Sequence, residues 1–573
     1  MTKMPSTEAA ANHTDHLLLL LHVFLSLYSI LSLSRNSLQK KTFVSAHLLL
    51  LGAILFLHLE ILKMKYSKQV ASPPSPRVIP PKFVPLKAHG SSRIPMARRG
   101  FGTKGRRIPL LTNHFNIEKP SNTQVEGRVL EPPKLKFGND KDVLPRDGRW
   151  NFKDKTLVAP TLITHWAIVN FCAPCDIHNL CGDLLRCSEA KGIDLREPYT
   201  VIQENQQSSR NPAPVRVELM FEEIQRKLPG PPRFLLCILP ERKNSDIYGP
   251  WKRKCLVDHG IVTQCMAPTC IDDQYLTNLL LKINAKMGGL NTLLSVECLQ
   301  SIPFVSRIPT MIFGMVLSHS GSDVPSTAAI VSSRKWPLIC RYRASARAQS
   351  ARVETIDGLF EPVSPERDEG MIRELLEDFY QSTSKVKPEH IIIFRDRVSE
   401  SRFEQTVNVE LEQVKQACRF IRDDYWDPKF TVIVTQKAQR TNFLQPKPDA
   451  NVPPGTIIDT EICHPKNNDF YLCAQNGPLG TVRCTHYHVL LDQIGFSADD
   501  LQELVHSLSY VYQTNTTAKS IVAPIWYAHQ AAALMSQFVN SDMTSNSSGG
   551  GGGGGFTQIP KLHENVCDSM FFC

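Results

Sequence analysis

The chain has no second CxxC to answer its first. Cys172-x-x-Cys175 has the spacing of a zinc pair, but Cys181 and Cys187 stand six apart and no matching pair follows, so a zinc-finger reading fails. The 16 cysteines are scattered, which argues against a disulfide framework and for reduced thiols in a cytosolic or nuclear protein. Leu180, Leu184 and Leu185 lie among the tightest group at helical spacing, and buried free cysteines are expected there. No internal repeat is found, which removes solenoid and propeller arrays. The start carries only Lys3 as an n-region charge and no clear A-x-A site, which argues against a signal peptide. Acid is in short supply as well: 65 Lys and Arg face 55 Asp and Glu, a net charge of +10. Such a balance suits a polyanionic partner without specifying one.

What is present changes character along the chain. Leu17–Leu33 and Ala46–Leu62 approach the length of a membrane span, but His22, His47, His58 and Glu60 interrupt them. A membrane anchor, a transit-type leader and an upstream sequence joined to the gene compete for residues 1–66. The ordinary soluble start near Arg93 favours the last. Residues 67–120 are Pro-rich and then basic, and are expected to be extended and mobile. Residues 121–165 read as an extended linker with short strands, anchored by Trp150 and Phe152.

From Trp166 strand and helix patterns alternate. Phe234–Leu239 reads as a buried strand, and Leu276–Met287 as a helix closed by Gly288-Gly289. Further on, Thr310–Met315, His390–Phe394 and Thr431–Val434 are short runs suited to a sheet buried on both faces. Between them Met371, Ile372, Leu375, Leu376 and Phe379 form one helical face, and Ser497-x-x-Asp500 opens another helix. Gly549–Gly555 is a low-complexity insert.

Two places carry chemistry. Asp396 follows the His390–Phe394 run, at the carboxyl end of a strand, where open α/β sheets place their sites; an Asp there equally caps a following helix. Tyr248 and Lys252 are four apart, as are Lys282 and Lys286, so each pair shares a helix face. Paired lysines repel unless water screens them or an anion sits between them. With the Gln264 amide and the Tyr248 hydroxyl, the five groups make a set that a terminal phosphate could engage. His486 and His488 face one way on a strand and read as structural.

These residues also carry a resemblance. DIYGPWKRK, GIVTQCMAP and YLTNLLLKINAKMGGLN resemble the MID domain of eukaryotic Argonaute proteins. HIIIFRDRVSE, NVPPGTIID, HPKNNDFYLCA, THYHVLLDQIGFSADDLQELVHSLSYVYQ and the terminal MFFC resemble the PIWI domain, closest to the plant clade that loads heterochromatic small RNAs. The similarity covers 121–573, with a short piece at Ile94–Phe115 that resembles the clade's amino-terminal start. It implies an α/β architecture: a Rossmann-like MID domain over 166–304 and an RNase H-like PIWI domain over 305–573, joined by a second linker and preceded by a disordered or hydrophobic extension. It implies that Tyr248, Lys252, Gln264, Lys282 and Lys286 hold the 5′ phosphate of a small guide RNA (siRNA). It also implies a complementary RNA target, a monomer, partners with Gly-Trp repeats, and a place in gene silencing and RNA-directed DNA methylation in the nucleus, or else the cytoplasm.

Two departures qualify this. The N and PAZ domains of the family are missing between Phe115 and the VEGRVL linker. In the family's two-metal centre, Glu354, Asp396 and His529 match the inserted glutamate, one aspartate and the histidine, with Asp396 and His529 as metal ligands. Val316, after FGM, stands where the other aspartate belongs. Arg397 replaces a usual glycine and brings a cation beside Asp396. Weak or absent Mg²⁺ binding and deficient target cleavage are therefore expected. The alternatives are an active guide-directed endoribonuclease, or a membrane-tethered interaction protein if the leucine-rich start is real.

Overall fold

Part of the basic stretch expected to be mobile is a strand. Arg106–His114 forms β1, which pairs antiparallel along its whole length with β2, Ser121–Val129, the first piece of the linker. The average composition of 67–120 hides the alternation of Ile108, Leu110 and Thr112, which gives β1 one face to bury; Leu110 and Thr112 are fully enclosed. The computed structural model describes residues 100–114, 121–241, 245–319, 321, 324–351, 353–421, 426–437, 441–446, 450–477, 482–545 and 558–573. The two apolar runs of residues 1–66 and the glycine run lie outside them. Among the described residues no helix is long and apolar enough to cross a membrane.

Strands and helices then alternate: β3 (Trp166–Asn170), α1 (Ile177–Ala190), β4 (Val201–Gln203), α2 (Ala213–Lys227), β5 (Phe234–Ile238), α3 (Tyr248–Arg253), β6 (Val262–Met266) and α4 (Asp273–Lys286). The four strands make a parallel sheet in the order β6-β5-β3-β4. Every residue of β3 and β5 is buried, as their unbroken apolar runs require of strands covered on both faces. Trp150 and Phe152 of the linker are buried as expected. The cysteine group is not: Cys172 is exposed and Cys175, Cys181 and Cys187 are half-buried. Leu180 and Leu184 take the inner face of α1, which leaves Cys181 and Cys187 on its flank, while Cys172 and Cys175 precede the helix.

The second sheet is built from β7 (Thr310–Ser318), β8 (Ser326–Ser333), β9 (Tyr342–Gln349), β10 (His390–Asp396), β11 (Lys429–Gln436), β12 (Asn442–Leu444), β13 (Thr456–Ile458), β14 (Asn468–Cys473) and β15 (Thr485–Asp492). With β1 and β2 it has eleven strands, ordered β9-β8-β7-β10-β11-β15-β14-β13-β2-β1-β12. β7, β10 and β11 run parallel and the other pairs antiparallel. Helices α5 (Met371–Ser382) and α6 (Leu411–Arg419) bury their apolar sides against one face. Helix α7 (Ala498–Leu508) starts at Ser497, whose hydroxyl accepts the Asp500 amide at 3.1 Å. Helix α8 (Ala523–Ser545) crosses the opposite face. A Cβ on Gly314 would lie 2.3 Å from the Pro524 carbonyl carbon, so only glycine lets the first turn of α8 rest on β7.

Candidate nucleic-acid interface

Helix α3 carries Tyr248 and Lys252, β6 carries Gln264, and α4 carries Lys282 and Lys286; the structure brings these elements together. Lys252 Nζ donates to the Thr263 carbonyl at 2.9 Å, and Lys286 Nζ lies 3.5 Å from the same oxygen and 2.7 Å from Gln264 Oε1. Lys252 also stands over the Tyr248 ring, 5.8 Å from its centre. Lys252, Lys286 and Gln264 are all buried, while Tyr248 and Lys282 are half-buried. The Lys252 and Lys286 ammonium groups thus hold carbonyl and amide oxygens. Burial, Lys252 and Lys282 together push Lys286 well below the usual lysine range. Cys265 shares this space: burial works to raise its thiol, but Cys237, Lys252 and Lys286 bring it down to about 7.

A trail of further cations was not legible in the sequence. Lys519 stands 4.4 Å from the centre of the Tyr512 ring and 4.5 Å from that of Trp526. Burial, Lys282 and Lys437 lower it to about 8. Lys437 lies over the other reach of Trp526 at 5.8 Å; burial lowers it, Asp396 opposes, and Arg397 and Arg483 add to the lowering. Positive charge therefore runs from α4 to the end of β10. Isolated lysines in loops give no periodic signal, so only the fold assembles them.

Asp396 is the last residue of β10 and buried. Its Oδ1 accepts the Thr435 hydroxyl at 2.9 Å, and its Oδ2 lies 2.7 Å from His529 Nε2. The β7–β10 register pairs Met315 with Arg395, so one step on Val316 sits beside Asp396. Val316 is 1% exposed and belongs to the same buried apolar cluster as Phe394 and Ile525. Arg397 does not point away: its Nε is 3.4 Å from Asp396 Oδ2. Glu354, which alone reads as a solvated helix residue, is in an exposed loop instead, with its carboxylate 3.7 Å from Arg402. Among the described residues, the donors at the end of β10 are thus one carboxylate and one imidazole, bound to each other beside a guanidinium and a buried valine. They do not fit a centre that clamps two Mg²⁺ ions between carboxylates.

A parallel four-stranded sheet with a buried lysine pocket, packed on an RNase H-like sheet, defines the MID–PIWI class of protein. A Piwi domain family model matches residues 234–540. Protein argonaute 4A of Oryza sativa is 57% identical over 460 residues, 79% of this chain and 51% of its own length. Protein argonaute 9 of Arabidopsis thaliana is 59% identical over 461 residues, 79% of this chain and 51% of its own. The chain spans about half the length of the curated relatives it matches. In fold it is similar to the C-terminal lobe of a budding yeast Argonaute, with a TM-score of 0.71 at 20% identity, covering 83% of this chain and 99% of that one. Kluyveromyces polysporus Argonaute, solved with a guide RNA, gives a TM-score of 0.69 at 20% identity over 79% of this chain and 54% of that one. The chain belongs to the Argonaute family.

Proposed function

We propose that this chain binds a small guide RNA by its 5′ phosphate, acts in RNA-mediated gene silencing, and cleaves targets poorly or not at all. The observation that carries it is the convergence of Lys252 and Lys286 on Thr263 with Gln264 between them and carbonyl oxygens as their partners. Buried ammonium groups without a carboxylate are costly. A phosphate monoester dianion seated among them supplies the missing charge and favours the charged form of Lys286, which burial and the neighbouring lysines disfavour. The charge trail through Lys519 and Lys437 suits the backbone that follows the phosphate, and the half-buried Tyr248 ring can stack on its first base. Deficient cleavage follows from Val316 and Arg397.

The test is binding of 5′-phosphorylated against 5′-hydroxyl guide RNA. Preference for the phosphate by at least about tenfold, ~1.4 kcal/mol, is expected, and Lys282→Ala with Lys286→Ala should erase it. Equal affinity of the unaltered protein for both RNAs overturns the pocket assignment. Magnesium-dependent cleavage of a matched target overturns the second part and favours an active endoribonuclease. The finer placement is a monomer acting in RNA-directed DNA methylation in the nucleus, with Gly-Trp repeat partners. It extends the clade resemblance, and a cytoplasmic fractionation pattern would reject it.

A further inference from the structure

On the other face of the PIWI sheet lies a group that the guide pocket and the β10 centre do not use. Asp469 of β14 pairs directly with His488 of β15, and Tyr471 with His486. Side chains two apart on a strand share a face, so Asp469, His486 and His488 project together. Tyr487 between them faces α8 with Phe394 and Val316. The three groups therefore face the opposite side of the sheet from Asp396 and His529, across the strand β11 that lies between β10 and β15. One ligand atom from each residue lies within 4.8 Å of the others. Asp469, His486 and His488 are 4%, 8% and 7% exposed.

Their hydrogen bonds leave the group incomplete. Asp469 Oδ1 accepts the His464 amide at 2.9 Å, and its Oδ2 lies 2.7 Å from His486 Nε2. His488 Nε2 has no hydrogen-bond partner among the described residues. A ring nitrogen buried unpaired costs about 1–3 kcal/mol. Stacking fixes both imidazoles: Tyr471 lies 3.9 Å from His486, His486 3.8 Å from His488, and Phe403 5.1 Å from His488, centre to centre. The strand pairing and the packed rings hold the group in place without any ion, so a cation meets ligands already oriented.

We propose that Asp469, His486 and His488 bind a zinc ion, with water in the fourth position. Two neutral imidazoles and one carboxylate suit Zn²⁺, at about 2.0–2.2 Å to each donor, whereas Mg²⁺ and Ca²⁺ prefer oxygen sets. Zinc would take the idle His488 lone pair and replace the Asp469–His486 contact. His464 is not a ligand through Nδ1, which accepts the Lys466 and Asn467 amides at 3.1 and 3.0 Å. The ion would clip β14 to β15, beside the strand that carries Thr435, the partner of Asp396.

The full chain, stripped by chelator and dialysed, is titrated with zinc and followed by metal analysis and melting. About one tightly held zinc per chain is expected, with a rise in melting temperature that Mg²⁺ does not reproduce. His488→Leu should lose the zinc, while Asp396→Asn with His529→Ala should keep it. Cobalt substitution of the unaltered protein reads the ligands without a variant. Visible d–d bands of a tetrahedral site are expected, without the near-ultraviolet charge transfer of thiolate ligation. Absence of tight zinc, thiolate bands, or retention of zinc in a folded His488→Leu protein would each overturn the assignment.

Discussion

Arg397 shows how a single position can be wrong for its backbone and still be kept. Its φ is +57°, in the left-handed region where a side chain costs about 1–2 kcal/mol and glycine nothing. The conformation is fixed because the Arg397 amide donates to the Thr435 carbonyl at 3.0 Å, extending the β10–β11 ladder past Asp396. The side chain is mostly exposed, so its contact with Asp396 does little to offset the strain. Arg397→Gly should raise the midpoint of guanidinium unfolding by the equivalent of about 1 kcal/mol. A lowered midpoint would mean that the guanidinium is needed to balance the buried Asp396 carboxylate. The sequence marks Arg397 only through the family resemblance, because a positive φ leaves no trace in composition.

At the scale of elements, the site depends on how closely α8 lies on β7. Gly314 lets Pro524 approach, and His529, a turn and a half further along the helix, then reaches Asp396. Gly314→Ala would drive its Cβ into backbone that a rotamer change cannot move aside. A loss of about 1–3 kcal/mol is expected from the forced shift. The resonance of His529 in a histidine-selective NMR spectrum should move as its contact with Asp396 opens. A spectrum unchanged from the parent would show that the helix is not registered by this glycine. Strands and helices of this layer were legible because their apolar runs are long: His390–Phe394, Thr431–Val434 and the Met371 face all fall inside observed elements. Their ends were not. β7 runs on to Ser318 and β10 takes in Asp396, since a carboxylate or a serine at a strand's edge reads as loop. β1 was missed because the basic, Pro-rich composition around it hides the short alternation of Ile108, Leu110 and Thr112.

At the scale of the molecule, the lysine pocket and the β10 centre can act on one ligand only if the two sheets hold a fixed distance. A common core does part of this: one cluster of buried side chains runs from Trp166, Leu236 and Leu280 through Val511 and Tyr527 to Phe572. A polar latch sits within it. Gln513 Oε1 accepts the Asn291 amide at 2.8 Å, its Nε2 donates to the Thr292 carbonyl at 3.0 Å, and its own carbonyl accepts Asn291 Nδ2 at 2.5 Å. Asn291 in turn donates from that Nδ2 to Leu281, and its Oδ1 accepts the Asn284 amide group, so the latch reaches the helix that carries Lys282 and Lys286. All of these groups are buried, and removing one end leaves the others unpaired at about 1–3 kcal/mol each. Gln513→Ala should therefore separate the halves before either unfolds. The parent should melt in one calorimetric transition and the variant in two, the earlier one moving upward when 5′-phosphorylated RNA is added. A single transition in both proteins would mean that the apolar contact alone couples the two sheets.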